Sequence, residues 1–180
     1  MRFLKTILFA ILLIVVAGLT FYLATDYRDA AGRSGVPFAI WLIDLLLLFI
    51  HEAGHFLFGI FGRFFHFLGG TLLQILLPVV TAIVFAKGSI RSLPFTLYLC
   101  GHSMVNASVY IGDAPYKKLK LVSSGAIHDW NWIFTRLDMM EYAESIASIV
   151  NVLGIFTCII GIVSGFIILV IDVRSSANSK

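Results

Sequence analysis

An all-α protein embedded in a membrane is what the sequence predicts, and three observations carry that reading. The 180 residues are 59% hydrophobic and only 13% charged, against about 45–50% apolar and about 25% charged in an ordinary soluble domain. Five stretches, roughly 3–23, 36–61, 68–85, 93–111 and 145–171, approach or exceed the about 20 apolar residues that a bilayer core requires. Ionisable and amide side chains inside those stretches are concentrated in the middle three. Four prolines and long apolar runs exclude collagen-like and disordered chains. The net charge of +3 comes from scattered Lys and Arg, with one small cluster at Lys117, Lys118 and Lys120. Such cations read as membrane-flanking rather than as a nucleic-acid surface. The expected partners are therefore the lipid bilayer and a membrane-associated polypeptide, with no nucleic acid.

The first stretch, within residues 1–24, follows Arg2 and is longer than the apolar region of a signal peptide. No small-x-small cleavage site follows in Ala24-Thr25-Asp26, so it reads as an uncleaved signal anchor. Five spans put the termini on opposite sides. Seven Lys and Arg fall on the N-terminal side and six on the other; Arg2 and Lys5 favour a cytoplasmic N-terminus.

The second stretch holds His51-Glu52-Ala53-Gly54-His55, an HExxH sequence. At about 100° per residue, His51 and His55 share one helix face a turn apart, spaced for two imidazoles to grip one ion. Glu52 lies beside them, where it can reach a bound water without ligating. Asp44 is on the same face about two turns earlier. The alternative, two histidines and a glutamate buried in an apolar run for packing alone, is costly.

In the third stretch Thr71, Gln74 and Thr81 form a looser polar stripe after Gly69-Gly70. In the fourth, His102, Asn106 and Asp113 lie within about 40° of one another. Three consecutive helices thus present polar faces, which predicts one shared wet cavity. Segment 112–144 carries Trp130, Ile133, Phe134, Leu137 and Met140 at helical spacing. It reads as an amphipathic helix in the interface with its tryptophans at headgroup level. The C-terminal span covers 145–172. Cys100 and Cys158 fall in apolar runs and read as small core residues. The whole chain, 1–180, reads as a single membrane-embedded domain of about five spans plus one interfacial helix.

Two imidazoles need a third ligand. Asp113 ends the fourth span, where its charge opposes the helix dipole and a nearby cation would relieve it. Asp129, in His128-Asp129-Trp130, is the rival, although Asp before a helix is also an ordinary N-cap. His102 is a further candidate, and Glu141 or Glu144 would serve in a His-His-Glu arrangement.

These residues resemble the site-2 protease family of intramembrane zinc metalloproteases. His51, Glu52 and His55 match its metal helix, Asn106 followed by Asp113 is similar to its second motif, and Gly69-Gly70 is similar to the glycine pair in its loop after the metal helix. The similarity covers roughly 36–114 and implies a three-helix catalytic core there. The stretches 68–74 and 128–132 resemble an uncharacterised bacterial branch, which implies the bacterial cytoplasmic membrane. The implied activity is peptide-bond hydrolysis in membrane proteins or signal-peptide remnants by a metal-activated water. One zinc ion would be held by His51, His55 and Asp113, with Glu52 as general base and Asn106 as a possible second donor to the developing oxyanion. The competing readings are a His-His-Glu membrane metallopeptidase and a catalytically inactive metal- or partner-binding protein on the same scaffold.

Overall fold

The computed structural model describes residues 2–27, 36–121 and 125–177. Arg28, Arg33 and Lys180, counted above among the basic residues, lie outside them. The described residues are all-helical, with no strand among them. The helices are α1 (Arg2–Thr25), α2 (Phe38–Gly59), α3 (Arg63–Gly88), α4 (Leu93–Gly112), α5 (Asp129–Leu137) and α6 (Ala143–Ala177). Short 3₁₀ turns at Ile90–Ser92 and Met140–Tyr142 lead into α4 and α6.

Four segments are long and apolar enough to cross a bilayer: Leu4–Thr25, Phe38–Gly59, Arg63–Gly88 and Met140–Ser175. The expected fifth span, α4, has 20 residues, or about 30 Å of helix, yet falls outside that group. The reason is its place in the bundle. His102, Ser103 and Ser108 on α4 are fully buried, so this helix is clothed by its neighbours and carries the polar residues that an outer helix sheds. Outward residues of α2, such as Phe38, Trp41, Leu46, Phe49 and Phe56, are exposed and apolar, as a lipid-facing surface requires.

Side by side, the packing runs α2, α3, α4, α6, α1, with α5 laid on α3. Close approach is built on small residues, the usual device where the surroundings are as apolar as the side chains. Where α4 meets α6, a Cβ on Gly101 would stand 2.4 Å from both the Gly154 carbonyl oxygen and Cys158 Sγ. Where α2 meets α3, a Cβ on Gly54 would stand 2.2 Å from the Gly69 carbonyl oxygen. Cys100 and Cys158 are buried free thiols, as core residues should be.

Two local expectations change. Gly69-Gly70 lies inside α3, which begins at Arg63, rather than in a loop. The second change concerns α5. It is present, but its tryptophans are used for docking: Trp130 Nε1 donates to Thr71 Oγ1 at 3.0 Å. Trp132 stacks on Phe67 with ring centres 4.4 Å apart, and Arg63 lies over both rings. Those contacts fasten α5 to the same part of α3 that touches the HExxH turn.

Candidate metal centre

His51 and His55 project from α2 on one face, as their spacing requires, and their rings are 4.7 Å apart. Each ring has one nitrogen fixed by an acceptor. His51 Nδ1 donates to Gln74 Oε1 at 3.1 Å, and His55 Nδ1 donates to the His66 carbonyl oxygen at 2.7 Å. A carbonyl only accepts, so both rings carry their proton on Nδ1 and turn Nε2 toward the same point. Asp129 Oδ2 is at that point, 3.1 Å from His51 Nε2 and 3.3 Å from His55 Nε2.

Three ligand atoms thus converge, all within 4.8 Å of one another. With both rings neutral, two nitrogen lone pairs would face a carboxylate oxygen across ordinary contact distance, an arrangement that either a proton on the rings or a cation between them relieves. A tetrahedral ion with bonds near 2.0–2.2 Å spaces its ligands by about 3.4 Å, close to the separations found. The His51, His55 and Asp129 group can therefore hold a metal ion, and its N, N, O donor set suits zinc.

The third position is filled by Asp129, and Asp113 is elsewhere. Asp113 closes α4, but the chain folds back onto it: Lys118 N–H donates to Oδ1 at 2.9 Å and Leu119 N–H to Oδ2 at 3.0 Å. Its other neighbour is His128 Nε2, at 3.3 Å from Oδ2. The carboxylate that opposed a helix dipole is relieved by two backbone donors rather than by an ion. Asp129, in turn, is not the N-cap. His128 takes that position, and its Nδ1 accepts from Asn131 N–H at 3.3 Å. Asp129 occupies the first turn of α5 with its carboxylate free to face α2.

A tyrosine that sequence reasoning passed over holds this carboxylate. Tyr110 on α4 accepts from the Asp129 backbone N–H at 3.1 Å and donates to Asp129 Oδ2 at 3.1 Å. Its ring stacks on His128 at 4.3 Å, so α4 and the start of α5 are locked together. Burial disfavours ionisation of Asp129, but when His51 and His55 are protonated their hydrogen bonds and charges outweigh it and bring the carboxyl down to about 2. Burial likewise pushes the His128 imidazole below its ordinary range, against the pull of Asp113.

The floor of the site is glycine. A Cβ on Gly70 would stand 2.5 Å from His51 Nε2, the nitrogen that points at Asp129. Glu52 is exposed on the other side, along a cavity of about 770 Å³ that it shares with His51, His55, Tyr110 and Asp129. Asn106 lines the same cavity, but both hydrogens of its amide are committed, to Tyr27 Oη at 2.7 Å and Asp44 Oδ1 at 3.1 Å. Its Oδ1 accepts from Gln74 Nε2 at 2.7 Å. Asn106 thus supports Gln74, and through it His51, instead of aiming a donor at the metal centre. His102 is fully buried and bonded to Asp44 at 2.9 Å, away from the His51 group. Glu144 accepts from Tyr116 on the far face of α4.

Compared with family models, with curated proteins and with solved structures, the chain matches none of them. The chemistry of the site thus rests on the residues themselves.

Proposed function

We propose that the chain is a membrane-embedded zinc metalloendopeptidase, similar in its metal helix to the site-2 proteases but with the third ligand supplied by Asp129. The observation that carries this reading is the pairing of two Nδ1-anchored imidazoles, both presenting Nε2 to one carboxylate oxygen, with Glu52 unencumbered beside them. Zinc held there would supply a Lewis acid for a carbonyl and lower the pKa of a coordinated water toward about 7. Glu52 takes the proton of the attacking water and later hands it to the leaving amine. Gln74 and the His66 carbonyl keep the two rings in the ligating tautomer, which is the usual work of partners behind a metal ligand. Tyr110 keeps the Asp129 carboxylate aimed at both rings.

A substrate for this centre must be unwound, since the carbonyls of an intact helix are already hydrogen-bonded. The cavity of about 770 Å³ falls within the range of pockets that enclose small ligands, so it suits a few extended residues rather than a folded domain. Membrane proteins and signal-peptide remnants are the corresponding substrates.

The test compares detergent-purified wild type with Glu52→Gln on an unfolded membrane-protein fragment, with cleavage read by mass spectrometry and zinc by elemental analysis. The expected result is zinc in both proteins and cleavage only in the wild type, abolished by a chelator. Equal cleavage by the two would refute the mechanism. Zinc in both with cleavage by neither would instead favour the non-catalytic metal-binding reading.

A further inference from the structure

The cavity has a second polar end that the hydrolytic mechanism does not use. Asp44 lies seven residues before His51 on the same face of α2, so about 10 Å along the helix axis from it, and it lines the same cavity. Three donors converge on one of its oxygens. Tyr27 Oη donates to Oδ1 at 2.8 Å, His102 Nε2 at 2.9 Å and Asn106 Nδ2 at 3.1 Å. His102 is itself oriented, because its Nδ1 is hydrogen-bonded to Tyr98 Oη at 3.2 Å. This arrangement fixes the rotation of the carboxylate. It also leaves Oδ2 without a hydrogen-bond partner among the described residues, on a side chain that keeps 28% of its surface accessible.

A carboxylate in the apolar layer of a membrane is expensive and usually has a use. No Lys or Arg among the described residues pairs with Asp44; its three donors are a phenol, an amide and the His102 imidazole. If the network served only to steady Gln74 and His51, a neutral acceptor at position 44 would suffice and would avoid the cost of burying charge. What the charge adds is affinity for a cation arriving in the cavity.

We propose that Asp44 forms a subsite for a cationic nitrogen of the bound polypeptide, an ammonium or guanidinium group accepted at Oδ2. This rests on the reading of the cavity as a peptide-binding site. An extended chain advances about 3.3–3.6 Å per residue, so a free amino terminus held at Asp44 would lie about three residues from the metal centre. A lysine side chain reaching the same oxygen would come from one or two residues away. The selected substrate is thus apolar with a single positive charge near the bond to be cut.

Binding tests this without turnover. The protein is zinc-loaded Glu52→Gln in detergent, and the probes are an apolar decapeptide with one lysine, its norleucine counterpart, and the N-acetylated form of each. Affinity is measured by fluorescence anisotropy of an end-labelled set. A hydrogen bond to a charged group makes the cationic peptide bind about 10- to 100-fold more tightly. Loss on lysine replacement identifies the side chain as the source, and loss on acetylation identifies the amino terminus. Asp44→Asn keeps an acceptor for Tyr27, His102 and Asn106 but removes the charge; it reduces the ratio to near one, and Asp44→Glu restores part of it. Equal affinities for all four peptides, a preference that survives in Asp44→Asn, or no binding of any peptide would overturn the proposal. Cleavage of the neutral peptide by the wild type, together with equal affinities, would overturn the subsite while leaving the hydrolytic reading intact.

Discussion

Glycine permits close helix contact at several places among the described residues, and two of them, Gly70 and Gly101, differ in what lies across the gap. At the α2–α3 contact, a Cβ on Gly70 would meet the ring of His51, with Nε2 at 2.5 Å and Cε1 at 2.7 Å. At the α4–α6 contact, a Cβ on Gly101 would meet the backbone oxygen of Gly154 and Cys158 Sγ, both at 2.4 Å. Gly70 faces a functional ring and Gly101 faces a neighbouring main chain, although the α2–α3 contact also sets main chain against main chain at Gly54 and Gly69. A side chain can swing aside and a carbonyl in the middle of a helix cannot, so the same substitution has opposite consequences. The lesson is that a tight helix contact marks a site only when the atom across it is a chemical group with something to do.

The largest expected effect separates the two regions. Gly70→Ala displaces the His51 ring from its ligating position and weakens zinc binding by about 100-fold, the upper end of the range for disturbing a ligand's support. The helix bundle keeps most of its thermal stability, because the obstructing group is a side chain end. Calorimetry and zinc titration on the same preparation check both halves. A variant that binds zinc normally would show that Nε2 of His51 is not the ligating atom.

Next is the support behind His51. Gln74→Leu removes the acceptor for Nδ1 and leaves Asn106 Oδ1 without its donor, which lowers zinc affinity by about 10- to 100-fold. Cobalt substituted for zinc would report a distorted centre through a changed visible spectrum, an effect that simple loss of packing does not produce.

The smallest effect on the metal centre, and the complement of the first, is Gly101→Ala. Overpacking at this backbone contact destabilises the fold by about 1–3 kcal/mol. Folded protein should still take up zinc with unchanged affinity. Loss of zinc with unchanged stability would erase the distinction between the two contacts.

Much of this arrangement was legible from residue spacing. The positions of the helices follow the apolar stretches, and the HExxH face, the polar faces of three successive helices and their common cavity all follow from helical periodicity. Asp129 stood among the candidates for the third position, but its precedence over Asp113 was not legible, for two local reasons. The reading of Asp113 rested on an unfavourable helix-end charge, but the backbone N–H groups of Lys118 and Leu119 turn back to neutralise it, and a turn of that kind leaves no periodic trace. The reading of Asp129 as a cap failed because an imidazole, that of His128, performs the capping. Histidine is not among the residues ordinarily preferred there. Asn106 was placed in the right cavity with a different task, since its partners Tyr27 and Gln74 come from separate segments whose orientation spacing alone does not specify. Tyr110 showed no signal beyond being one more aromatic residue in an apolar run.

Metal content is the most direct test of the central claim, that His51, His55 and Asp129 together form one centre. Wild type, Asp129→Asn and Asp113→Asn are purified in the same detergent, loaded with zinc, freed of excess and analysed for bound metal per chain. The account predicts about one ion in the wild type and in Asp113→Asn, and close to none in Asp129→Asn. The reverse pattern, with metal kept by Asp129→Asn and lost by Asp113→Asn, would contradict it.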